Sequence, residues 1–137
     1  MTAADSLCAS TECELMLDLL SRHKSAPLIA GILRDAQDIR RLLHLHSFRK
    51  SESAERLCAE ISSRYREEIL SLSSGSMLLR RQSSSVYLRL EQLLGHLVRV
   101  ALLRLSREGV LSFSHTQLMH SDGMLLALLM NEAQKSG

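Results

Sequence analysis

Apolar residues recur along most of the chain at three- and four-residue steps, the period of an amphipathic helix. Leu15, Met16, Leu19 and Leu20 form the first stripe. Thr11-Glu12-Cys13-Glu14 precedes it at capping-box spacing and predicts a helix near 11–23. Residues 1–10 carry no such stripe and are expected to be a flexible N-terminus. Pro27 sits where a helix start tolerates a missing N–H, and Leu28, Ile29, Ile32, Leu33, Ala36, Ile39, Leu42 and Leu43 continue the rhythm. A second helix near 27–46 follows from that pattern. Leu57, Ile61, Tyr65 and Ile69, with Cys58 and Leu72, predict a third near 53–72. Its opposite face, with Glu55, Arg56, Glu60, Arg64, Arg66, Glu67 and Glu68, has the composition of a solvated surface. The Ser-rich segment 71–76, containing Gly75, reads as a break.

From Met77 to Glu108 there is no Pro and one Gly, and the apolar rhythm predicts one long helix near 77–108. Ser83-Ser84-Ser85 is poor helix material and a place for a kink or fray. Gly109 is the expected C-cap. Between Leu94 and Leu105 apolar residues cover most of the helix circumference, so burial on more than one side is expected, with Leu94, Leu97, Val98, Leu102 and Leu105 at the centre of packing. Ser114-His115-Thr116-Gln117 is a second capping box. It opens a last helix near 115–134 whose Leu- and Met-rich surface is wider than a core stripe needs. Leu125, Leu129 and Met130 are therefore candidate interface residues. The pattern as a whole predicts an all-α fold: a bundle of about five helices forming a single domain over 11–137.

Composition agrees with this. Hydrophobic residues make up 45% of the 137 and aromatics only 3%, with no Trp, so the core rests on Leu, Ile, Val and Met. Leu and Met keep good helix propensity, whereas sheets favour β-branched and aromatic side chains. Cys8, Cys13 and Cys58 are odd in number and follow no zinc spacing, which reads as reduced thiols in an intracellular protein. Met1 to Ser10 has no basic region followed by an apolar run, so no secretory leader is expected. No apolar run approaches the roughly 20 residues of a membrane span.

Candidate chemistry changes little. His44 and His46 project from nearly opposite faces of one helix, and His115 and His120 are five apart, so neither pair suits a metal. Glu67 and Glu68 are adjacent and diverge, whereas general acid–base work needs convergence. Ser73-Ser74-Gly75-Ser76 lacks the preceding strand and following Lys of a phosphate cradle. The expectation is a non-enzyme with no catalytic, cofactor-binding or metal-ligating residues, no small-molecule substrate and no membrane association. Arg80, Arg81, Arg89, Arg99, Arg104 and Arg107 spread around the long helix, Glu91 and Glu108 interrupt them, and the net charge is only +2. Independent nucleic-acid binding is therefore not expected. Two readings stay open: a structural subunit whose surplus apolar surface on 94–105 and 118–130 is covered by other subunits, and a free-standing adaptor binding a partner helix in a Met-lined groove.

Three passages carry a resemblance: the run from Glu14 to Arg22 followed by Ala26-Pro27-Leu28; the run from Arg81 to Leu90, where basic residues precede Tyr87-Leu88; and Leu111-Ser112 before a Leu/Met-rich helix. In these the sequence resembles the helical domain of a GINS subunit, of the Psf-type or Sld-type, with Arg81, Tyr87 and Leu88 matching residue by residue. The family's small β-domain has no counterpart before Gly137, and Gln82 to Ser85 is less basic than the family's long helix. The resemblance implies a nuclear, non-catalytic role in DNA replication. Its implied partners are the other GINS subunits, Cdc45 and the MCM motor, with Arg81 and Tyr87 among the interface residues.

Overall fold

The computed structural model describes residues 3–45, 52–73 and 85–136, with side chains within 11–45, 52–72 and 85–135. Among them are seven α-helices, one 3-10 turn and no strand, an all-α bundle as the periodicity predicts. The helices are α1 (Ala3–Arg22), α2 (Ala30–Leu43), α3 (Glu52–Arg64), α4 (Arg66–Ser73), α5 (Val86–Arg107), α6 (His115–Leu118) and α7 (Asp122–Ser136). The 3-10 turn Ala26–Ile29 leads into α2, with Pro27 in its first turn.

α5 is the axis of the bundle: α1, α2, α3, α4, α6 and the 3-10 turn all pack on it. Twelve of its 22 residues are buried, and Leu94, Leu97, Val98, Leu102 and Leu105 are wholly inaccessible. The apolar surplus expected on 94–105 is therefore covered by the chain's own helices. That corrects the reading of this stretch as surface awaiting other subunits. Periodicity reports that a face is buried, not which chain buries it.

The ends of α5 follow from local chemistry. Ser85 is extended (φ −89°, ψ 125°) and its hydroxyl accepts the Leu88 N–H, so it is the N-cap. An unbroken helix through Ser85 is thereby corrected; residues 77–84, including Ser83 and Ser84, lie outside the described residues. At the other end Gly109 takes φ +74°, the Val110 N–H bonds the Leu105 carbonyl and the Gly109 N–H bonds the Ser106 carbonyl. This is a Schellman stop, with Gly at the position a side chain would strain.

Three other boundaries differ from expectation. α1 starts at Ala3, so Thr11 lies inside a helix rather than at its cap. No Pro or Gly stands between Ala3 and Ser10 to stop the helix extending towards the N-terminus. The third helix divides at Tyr65, although its N–H still donates to the Ile61 carbonyl at 3.3 Å. The last divides after Leu118 because Ser121 starts a fresh helix: its hydroxyl accepts from the Met124 N–H and its carbonyl from the Leu125 N–H. The Ser114–Gln117 capping box is present in both directions. The break expected at Gly75 lies outside the described residues.

Leu97→Ala is expected to cost about 2–5 kcal/mol, the range for emptying a filled core site. Met130→Ala, on the outside of α7, is expected to change stability by less than about 0.5 kcal/mol. Urea midpoints of the two variants against the parent check the contrast.

Candidate functional site

Polar side chains gather where α5 meets the α6–α7 corner. Arg99, only 15% exposed at its side chain, donates from Nε to the Leu118 carbonyl (2.9 Å), from Nη1 to the Gly95 carbonyl (3.0 Å) and from Nη2 to the His120 carbonyl (2.7 Å). Nη2 also meets Asp122 Oδ1 at 2.8 Å. The Leu118 carbonyl ends α6 and the His120 carbonyl lies in the corner just beyond it, where helix-terminal carbonyls need partners from outside the helix. A planar fork with five donors suits this task, and Lys would not replace it. Gly95 leaves room for the guanidinium: a Cβ there would lie 3.4 Å from Nη1.

Asp122 also accepts from Cys13 Sγ (3.4 Å), which joins α1 to the same cluster. Burial first, then the Asp122 carboxylate, push the Cys13 thiol well above its usual range, so it stays protonated. That is the reverse of an activated nucleophile. Burial pushes Cys58 up too, and both thiols are unpaired and buried. His96 beside the cluster is held neutral: burial, reinforced by Arg99 and opposed by Asp122, lowers it to about 4.

A second cluster ties α2 to α3 and α4. Asp35, buried at 9% exposure, accepts from Tyr65 Oη (2.5 Å) and Arg64 Nη1 (2.7 Å). Burial and the bond to Asp35 raise the Tyr65 phenol to about 12. Arg104 crosses the Tyr65 ring at 5.3 Å and meets Glu68 through two 2.7 Å bonds. Arg89 reaches Glu55 at 3.1 Å. Three of the α5 arginines weighed as nucleic-acid contacts, Arg89, Arg99 and Arg104, are thus cross-helix ties, while Arg107 is exposed at the end of the helix. Part of the supposedly solvated face of the third helix (Glu55, Arg64, Glu68) holds their partners or Asp35. Long-range pairs like these leave no local signal in the sequence.

Between α1 and α2, Leu17, Asp18, Ser21, Leu33, Ala36, Gln37 and Arg40 line a cleft of about 100 Å³. Small-molecule sites usually enclose about 300–1,000 Å³. Arg40 at its edge is already engaged by Glu14 and Asp18. Among the described residues no group of three or more His, Cys, Asp or Glu is placed to hold a metal, and no helix is long and apolar enough to cross a membrane.

The exposed apolar side chains remain. α7 packs on α1, and Leu125 (0% exposed) and Leu129 (3%) are buried within the chain. These two expected interface residues are corrected to core: the chain itself covers the face they present. Met130 (48%) stays exposed, joined by Met124 (55%), which sequence reasoning missed. Ala127, Asn131 and Gln134 are exposed with them. Of the ionisable residues within α7 whose side chains are described, Asp122 pairs with Arg99, and Glu132 lies 3.8 Å from Lys135. The outer face thus carries Met124, Ala127 and Met130 with the neutral amides of Asn131 and Gln134, and its charges, the Glu12 carboxylate at Gly123 and the Glu132–Lys135 pair, lie at its margins. Tyr87 is half-buried against the core, and Arg81 lies outside the described residues.

No family model, curated protein or solved structure matches the chain.

The neutral state of His96 makes stability depend on pH. With its folded value near 4 against 6.5 when unperturbed, the unfolded chain binds the proton first. Its contribution is complete above about pH 6.5 and is lost as pH falls towards 4, amounting to about 3 kcal/mol. His96→Gln is expected to flatten that part of the stability–pH curve, measured by urea unfolding between pH 4 and 7.5.

Proposed function

We propose that the chain is a non-catalytic structural subunit of a protein assembly, and that it docks on an apolar helix of a protein partner through the outer face of α7. The supporting observation is the surface that intrachain packing leaves over. α5 is covered by its own chain, yet α7 still presents Met124 and Met130, about half exposed, around Ala127. A helix apolar on nearly every side is normally enclosed on every side. Methionine's flexible, polarisable side chain suits such a contact. The face carries no basic patch, its one cation being Lys135 beside Glu132, which favours protein over nucleic acid or an anionic lipid surface.

The specific form of the reading is a GINS-like subunit in the nucleus, beside Cdc45 and the MCM motor in the replicative helicase. It rests on the sequence resemblance alone, and of the three residue-by-residue matches Tyr87 and Leu88 fall within the described residues. The adaptor alternative requires a Met-lined groove. Met124 and Met130 lie on a helix face, the third exposed methionine among the described residues, Met119, caps α6, and the α1–α2 cleft is too small to receive a helix, so the subunit reading is preferred.

Tagged chain expressed in its native cell is expected to copurify with other protein subunits. Met124→Glu with Met130→Glu is expected to lower their recovery at least tenfold while shifting Tm by only a few degrees. Undiminished recovery with the double variant would remove α7 as the docking face. Recovery of replication-helicase subunits would support the GINS form, and recovery of an unrelated assembly would discard it.

A further inference from the structure

The exposed stripe of α7 is symmetric about one residue. Met124 and Met130 stand three positions either side of Ala127, and Gly123 and Asn131 stand four either side. On a helix, steps of three and four keep residues on one face. Leu125 and Leu129, two either side of Ala127, are the buried pair. At 3.6 residues per turn their midline lies opposite Ala127, which puts Ala127 at the centre of the outer face. Read outward from Ala127 in either direction, the stripe gives a small residue, then Met, then a neutral residue.

We propose that the helix covering this face is α7 of a second copy of the chain, antiparallel, on a twofold axis through Ala127. The proposal rests on the docking reading above and names its partner. A twofold interface is self-complementary: if residue i meets residue j, then j meets i. About this axis Ala127 meets Ala127 of the second copy, and Met124 meets Met130 of the second copy. The small side chain at the axis permits an interhelical distance near the lower end of the usual range of about 8–10 Å, and the methionines fill the space on either side.

The charge distribution points the same way. A twofold axis sets groups near it against their own copies, so a charge there would meet its like, which is costly. No residue of the stripe is charged. The carboxylate beside it, Glu12, approaches the backbone at Gly123, 2.9 Å from where a Cβ would stand. In the antiparallel pairing Asn131 of the second copy comes to Gly123, so its amide can donate to Glu12. One helix face is small beside a standard interface of roughly 800 Å² per partner, so the dimer should form at high concentration and part on dilution.

The experiment combines light scattering over a dilution series with cysteine cross-linking of the full chain. The parent is expected to fall from twice the chain mass to the chain mass on dilution. Ala127→Cys is expected to give a disulfide-linked dimer under mild oxidation, more than tenfold above the parent, whose own three cysteines set the background, and above Ala133→Cys, which is exposed but off the stripe. Met130→Arg is expected to be monomeric with Tm unchanged within a few degrees. A dimer that persists in Met130→Arg, or that cross-links equally at 133, would overturn the geometry. A parent monomeric at every concentration would overturn self-pairing, and the docking reading would still stand if Met124→Glu with Met130→Glu lowers subunit recovery. If that double variant retains its partners as well, both fail together.

Discussion

Everything in this fold depends on enclosing α5. Apolar residues stand almost all the way round that helix between Leu90 and Leu105, and exposing them would forfeit roughly 1.5–3 kcal/mol for each large side chain. One neighbouring helix covers only one side, so α1, α2, α3, α4 and α6 are all recruited to it. Hydrophobic contact has no direction of its own. Direction comes from three partly buried arginines on α5. Arg89 reaches Glu55 on α3, Arg99 reaches Asp122 on α7, and Arg104 reaches Glu68 on α4. Each pairs with a different element, so the three ties together favour one arrangement of the cover around the axis.

Arg99 holds the part of the bundle that carries the proposed docking face. It gathers the last carbonyl of α6, the His120 carbonyl in the corner after it and the carboxylate that begins α7, while Cys13 of α1 bonds the same carboxylate. α7 is thereby aimed at its N-terminal end by buried polar contacts, and Leu125 and Leu129 seat it along one side. Its opposite side is left outward, with Met124, Ala127 and Met130. The exposure of this face, on which the docking proposal rests, is thus a consequence of how α7 is held.

The helical class, the burial of α5, the Gly109 stop and the Ser114–Gln117 capping box were legible in the sequence, because each depends on residues within a turn or two of one another. Ser121-Asp122-Gly123 was legible too: Ser before Asp is a helix-start signal, masked by the apolar run that follows. Two kinds of feature were not legible. The Asp35–Tyr65–Arg64 and Arg99–Asp122–Cys13 clusters join residues from different helices, and nothing local marks such pairs. Leu125 and Leu129 failed as interface candidates because an apolar stripe looks the same whether its own chain or another one covers it. Only the placement of α1 distinguishes them from Met124 and Met130.

On the proposed reading, the outer face of α7 is exposed in the isolated chain and covered in the assembled protein. Methionine methyl NMR with a dissolved paramagnetic probe tests it directly, because Met16 is a wholly buried internal standard. The Met124 and Met130 signals are expected to be bleached in the dilute chain and protected in the assembled protein, with Met16 protected in both. Equal bleaching of Met124 and Met130 in the two states would contradict it.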